Sequence, residues 1–173
     1  MTDQDHVDAV ILQAIRVLDL CRARGLTVAT AESCTGGLVA GALTEIAGSS
    51  DVVDRGYVTY SNTAKQQMLG VSPASLKAHG AVSAQTAREM VSGLLRVAGT
   101  SLGVSITGIA GPGGGSASKP VGLVHFAAAS ASGRMVERRE VFAGEDRSGV
   151  RRLSVLTALA MLAELAAQEP VTP

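Results

Sequence analysis

Val7, Val10, Ile11, Ala14, Leu18 and Cys21 recur at helical spacing, and Gly25 ends the helix they predict. Residues 26–31 then read as a short buried strand. The pattern predicts a second helix over 36–47, closed by Gly48, and a strand over 52–60. A short helix follows over 62–69, capped by Ser61 and ended by Gly70. A long helix starts at Ser83 and turns Ala87, Met90, Val91, Leu94 and Ala98 inward. Residues 101–107 form the next strand. The segment 108–120 has five glycines in its first eight positions and reads as a loop. Two strands over 121–129 and 134–142 make an antiparallel hairpin around Ser132-Gly133. A last helix covers 147–168.

Strands that alternate with helices predict an α/β fold, a three-layer α/β/α sandwich. The hairpin makes its sheet mixed, though mostly parallel. A chain of 173 residues with 46% apolar content is long enough for one domain with its own core. We expect that single domain over 1–173, with its core over about 7–166. Fifteen basic residues balance fifteen acidic ones, which argues against nucleic acid or an anionic membrane as a partner. Cys21 and Cys34 have neither disulfide-framework nor zinc spacing, so no metal is expected. Cys21 belongs to the core face of the first helix. The polar start (Thr2, Asp3, Gln4, Asp5) has no signal-peptide profile, and no apolar run has membrane length, which predicts a cytoplasmic protein.

In sheets of this kind ligands bind beyond the carboxyl ends of parallel strands, and three such ends are rich in polar chemistry. The first reads Ala31-Glu32-Ser33-Cys34-Thr35-Gly36-Gly37. Ser33 between strand and helix is either a plain N-cap or a nucleophile beside free N–H donors, which would hold an oxyanion. Gly36 and Gly37 let a ligand approach the backbone. The second end carries Tyr57 and Tyr60, the only tyrosines, and Lys65, one of three lysines. Tyr60 is nearer the strand end. Lys65, one turn into the short helix, is either a solvated lysine or the base for Ser33. The latter requires burial or a neighbouring cation to lower its pKa. The third end, Thr107-Gly108-Ile109-Ala110-Gly111-Pro112, is either a plain surface loop or a cradle for a phosphate or polar ring group. It matches neither the Walker A nor the dinucleotide pattern. Arg147 either pairs with Asp146 or Glu145, or reaches the site to bind an anion or depress Lys65. His6, His79 and His125 show no ligand spacing, and His125 reads as structural.

Together the Ala31–Gly37 segment, residues 56–62 with Lys65, residues 107–112 and Lys119-Pro120-Val121-Gly122 resemble the CinA C-terminal domain family, whose stand-alone enzymes are nicotinamide-nucleotide amidohydrolases. The resemblance spans about residues 7–166. It implies the three-layer fold and conversion of nicotinamide mononucleotide to nicotinate mononucleotide and ammonia without a cofactor or metal. The family's catalytic serine, tyrosine and lysine fall on Ser33, Tyr60 and Lys65, and its arginine on Arg147. Glu145 is inserted where the family reads Gly-Asp-Arg. Expected substrate-binding positions are Thr35, Gly36, Gly37, Thr107, Gly108, Gly111 and Arg147. We expect a homo-oligomer acting on this small molecule. The rival readings are a non-catalytic nucleotide sensor and an interaction module for competence or recombination proteins.

Overall fold

The computed structural model describes residues 3–171. Thr2, read above as part of a polar N-terminus, lies outside them. The elements run α1 (Asp3–Arg22), β1 (Val28–Glu32), α2 (Leu38–Thr44), a 3-10 turn (Ser49–Asp51), β2 (Val53–Val58), α3 (Asn62–Leu69), α4 (Pro73–His79) and α5 (Ala84–Ala98). They continue with β3 (Leu102–Gly108), β4 (Leu123–Ser130), β5 (Met135–Val141) and α6 (Arg147–Gln168).

The sheet order is β2-β1-β3-β4-β5. β1 runs parallel to β2 and β3, β4 is antiparallel to β3, and β5 is antiparallel to β4. Four strands therefore point one way and β4 alone opposes them: the mixed, mostly parallel sheet expected. Helices α1, α2 and α6 cover one face and α5, with α3 and α4 beside it, the other.

The two faces differ in side-chain size. Val28, Leu102, Val104, Ile106, Val124 and Phe126 fill the α6 side with large groups. On the α5 side stand Ala29, Ala31, Ala127 and Ala129, with Gly103 and Ser105 between them. Small residues let α5 lie close. A Cβ at Gly103 would sit 3.0 Å from a Leu94 methyl, and one at Gly93 would meet the Leu69 carbonyl oxygen at 1.8 Å.

Three departures from the pattern bear on the site. Helix α2 begins at Leu38 rather than residue 36, because Gly36 and Gly37 have φ of +61° and +99°, outside the helical region. Strand β2 stops at Val58, so Tyr60 lies in the connection to α3. The seven-residue α4 was unforeseen, although Ser72 as N-cap and Pro73 at its first position are its signals.

Candidate active site

At the carboxyl ends of β1 and β3 lies a cleft of about 300 Å³, lined by Ser33, Cys34, Tyr60, Val82, Thr107, Arg147 and the glycine loop from Gly108 onward. Ser33 follows β1 directly, and its N–H is tied to Ile106 O of β3 at 2.9 Å. Lys65 lies behind the serine. As the fourth residue of α3 its side chain turns back under the strand ends and is 1% exposed. Its Nζ donates to Thr59 O at 2.8 Å and lies 2.9 Å from Ser33 Oγ. Burial lowers the Lys65 pKa to about 8, with the neighbouring Cys34 acting weakly the other way. Arg147 is not among the causes. An amine part-neutral near pH 8, in contact with a hydroxyl, can take its proton.

Cys34 lines the same cleft, yet burial pushes its thiol up to about 11. It stays a thiol at neutral pH and is a poor competitor to the serine.

Contrary to expectation, Ser33 does not lie beside free donors of the α2 terminus. The first N–H groups of α2 are not free, because Glu32, itself fully buried, occupies them. Its Oε2 accepts from Gly37 and Val39 N–H at 3.0 and 3.1 Å, and its Oε1 accepts from Ala40 N–H at 2.9 Å. Thr30 Oγ1 adds a fourth bond at 3.2 Å. With Gly36 N–H on Ser33 O, the donors left in this turn are the N–H groups of Cys34 and Thr35. The sequence reading overlooked Glu32. Its signal was a lone charge closing a strand of small buried residues, one position before the serine.

Tyr60 is 59% exposed at the rim. Its phenolic oxygen accepts from Arg147 Nη2 at 2.9 Å, while Arg147 Nη1 donates to Gly111 O at 2.8 Å. Arg147 thus joins the second and third strand ends instead of pairing with Asp146, whose carboxylate caps α6 at Gly149 N–H. One turn later Arg151, also unforeseen, donates from Nη2 to Thr35 O at 3.1 Å. No hydrogen bond among the described residues links Tyr60 to Ser33 or Lys65.

Of the predicted positions, Ser33, Tyr60, Thr107, Gly108, Gly111 and Arg147 line the cleft. Thr107 faces it with its hydroxyl donated to Ala81 O at 2.7 Å. Thr35, Gly36 and Gly37 lie in the turn behind it; Thr35 is fully buried and its hydroxyl is unpartnered. Among the described residues, no group of three or more His, Cys, Asp or Glu side chains is placed to hold a metal ion, and no helix is long and apolar enough to cross a membrane.

The model of the CinA C-terminal domain matches residues 12–166. A nicotinamide-nucleotide amidohydrolase PncC of Escherichia coli K12 is 56% identical over 141 residues, covering 82% of this chain and 85% of that protein. A CinA-like protein of Anaeromyxobacter dehalogenans is 54% identical over 140 residues, 81% of this chain but 34% of that longer protein. Among solved structures, the competence/damage inducible protein CihA from Agrobacterium tumefaciens superposes with a TM-score of 0.90 at 52% identity, over 91% of this chain and 95% of that one.

Proposed function

Since the chain belongs to the CinA C-terminal domain family, we propose that it is a nicotinamide-nucleotide amidohydrolase, converting nicotinamide mononucleotide and water to nicotinate mononucleotide and ammonia. The observation that carries the chemistry is the contact between the buried Lys65 amine and Ser33 Oγ. A protein that only binds a nucleotide has no use for a desolvated lysine on a serine.

Neutral Lys65, held in place by Thr59 O, accepts the Ser33 proton as Oγ attacks the carboxamide carbon. The tetrahedral oxyanion is received by the Cys34 and Thr35 N–H groups. Lys65 returns the proton to the departing nitrogen, ammonia leaves, and an ester remains on Ser33. Water then attacks that ester, giving its proton to Lys65, and the acid is released as Ser33 recovers its own. Arg147, Tyr60 and the loop at Gly108 and Gly111 hold the polar groups of the substrate at the rim. The substrate is a small molecule, and the reaction runs in the cytoplasm.

Ammonia release from the mononucleotide tests the reading. Wild type is expected to turn over, and Ser33→Ala to lose activity by a factor on the order of 10³ or more while still binding the substrate. Turnover by Ser33→Ala within a few-fold of wild type removes the serine from the mechanism.

A further inference from the structure

Beside the cleft lies a second pocket of about 390 Å³, walled by the start of α5 and by His79, Val82, Ser118, Lys119, His125 and Arg139. Val82 belongs to both pockets, so they are neighbours across one side chain. We propose that this basic pocket receives the phosphate group of the mononucleotide, held by Lys119 and Arg139 with His125 between them. The proposal rests on the amidohydrolase reading and adds to it where the substrate's charged end goes.

Sheet register supports the placement. Thr107, which lines the cleft, pairs with His125 on β4, and His125 pairs with Arg139 on β5. Residues directly opposite share a face. Ser105 and Glu137, two positions away on the same strands, bond Ala87 O and the Arg88 side chain of α5. The row Thr107–His125–Arg139 therefore runs along the α5 face from cleft to pocket. Two strand spacings make that row roughly 10 Å long. A mononucleotide, with a ring, a ribose and a phosphate in line, is comparable in length.

The charges in this pocket lack an anion. Arg139 is exposed and makes no hydrogen bond or ion pair among the described residues. Glu137, the carboxylate on the same face of β5, is committed to Arg88. Lys119 gives one proton to His79 O and keeps two for a ligand. His125 is held below its ordinary pKa by burial and then by Arg139 and Lys119, outweighing the opposite pull of Glu137. A phosphate takes several charge-assisted hydrogen bonds from such a pair of cations.

The experiment compares nicotinamide mononucleotide with the same compound lacking its phosphate, nicotinamide riboside, in wild type, Lys119→Ala, Arg139→Ala and the double variant. The ratio of kcat/KM for mononucleotide to that for riboside is expected to fall about tenfold in each single variant and further in the double. A general folding defect lowers both substrates together and leaves the ratio in place. A ratio unaltered by both substitutions overturns the proposal. The same pair of ligands is titrated calorimetrically into Ser33→Ala and into Ser33→Ala carrying each substitution. A preference for the mononucleotide that Lys119→Ala and Arg139→Ala erase supports the pocket even where wild type releases no ammonia, a result that removes the amidohydrolase reading alone. A preference they leave intact overturns the pocket alone.

Discussion

The proposed mechanism turns on one side chain, Lys65. Its depressed pKa of about 8 comes from burial, so the fraction able to accept a proton rises as pH approaches that value. The acidic limb of kcat/KM is therefore expected to fall by about tenfold per pH unit below 8 and to level above it. A pH profile flat from 6 to 9 would separate Lys65 from the proton transfer. Lys65→Arg tests the same point chemically, because a guanidinium keeps the charge and cannot act as a base. It is expected to be as inactive as Lys65→Ala in ammonia-release assays. Tyr60→Phe removes only the acceptor of Arg147 Nη2. It is expected to lose roughly ten- to a hundredfold, mostly in KM.

One element, the turn from Ser33 to Gly37, is held from two directions. Glu32 fastens it to α2 from below, and Arg151 on α6 fastens it through Thr35 O. The positive φ of Gly36 and Gly37 lets the chain reverse so that Glu32 can reach the N–H groups that follow. In Glu32→Gln one acceptor oxygen becomes an amide nitrogen facing backbone donors. We expect this change to cost roughly 1–3 kcal/mol of unfolding free energy. It should also lower kcat, since the same turn aims Ser33 and the Cys34 and Thr35 N–H groups. Denaturant unfolding and steady-state kinetics on one preparation check both, and an unaltered kcat would show that the turn holds its shape without the carboxylate.

Across the whole molecule, the proposed mechanism sets the buried lysine's catalytic use against stability. Unfolded, Lys65 binds its proton up to its ordinary value of about 10.5; folded, only up to about 8. Between those values the unfolded chain holds more protons, so this group makes stability rise with pH across that window. Below it the cost of burying the charge is fully present. Lys65→Met fills the same space without charge and is expected to gain on the order of 1–3 kcal/mol at pH 7 while losing activity. Equal stability of the two proteins at pH 7, measured by thermal or urea unfolding, would show that the ammonium is not penalised there.

Periodicity and turn chemistry were enough to place most of the fold. The inward face of α5, the limits of α3 between Ser61 and Gly70, and the β4–β5 hairpin all follow from local pattern, because each is decided by residues a few positions apart. The three polar strand ends were visible too, and Ser33, Tyr60, Thr107, Gly108, Gly111 and Arg147 do line one cleft. Three matters were decided only by residues distant in the chain. Lys65 has its pKa lowered to about 8 because the strand ends close over it, and nothing in Asn62–Leu69 alone carries that burial. Glu32 takes the α2 donors because two glycines fold the chain back onto it, which leaves the N–H groups of Cys34 and Thr35 as the donors in that turn. Arg147 faces Tyr60 and Gly111 instead of its own helix cap because α6 begins beside those two segments, which are distant from it in the chain. Hydrophobic patterning reports which face of an element is buried, whereas desolvation and hydrogen-bond partners depend on what the other elements bring to that face.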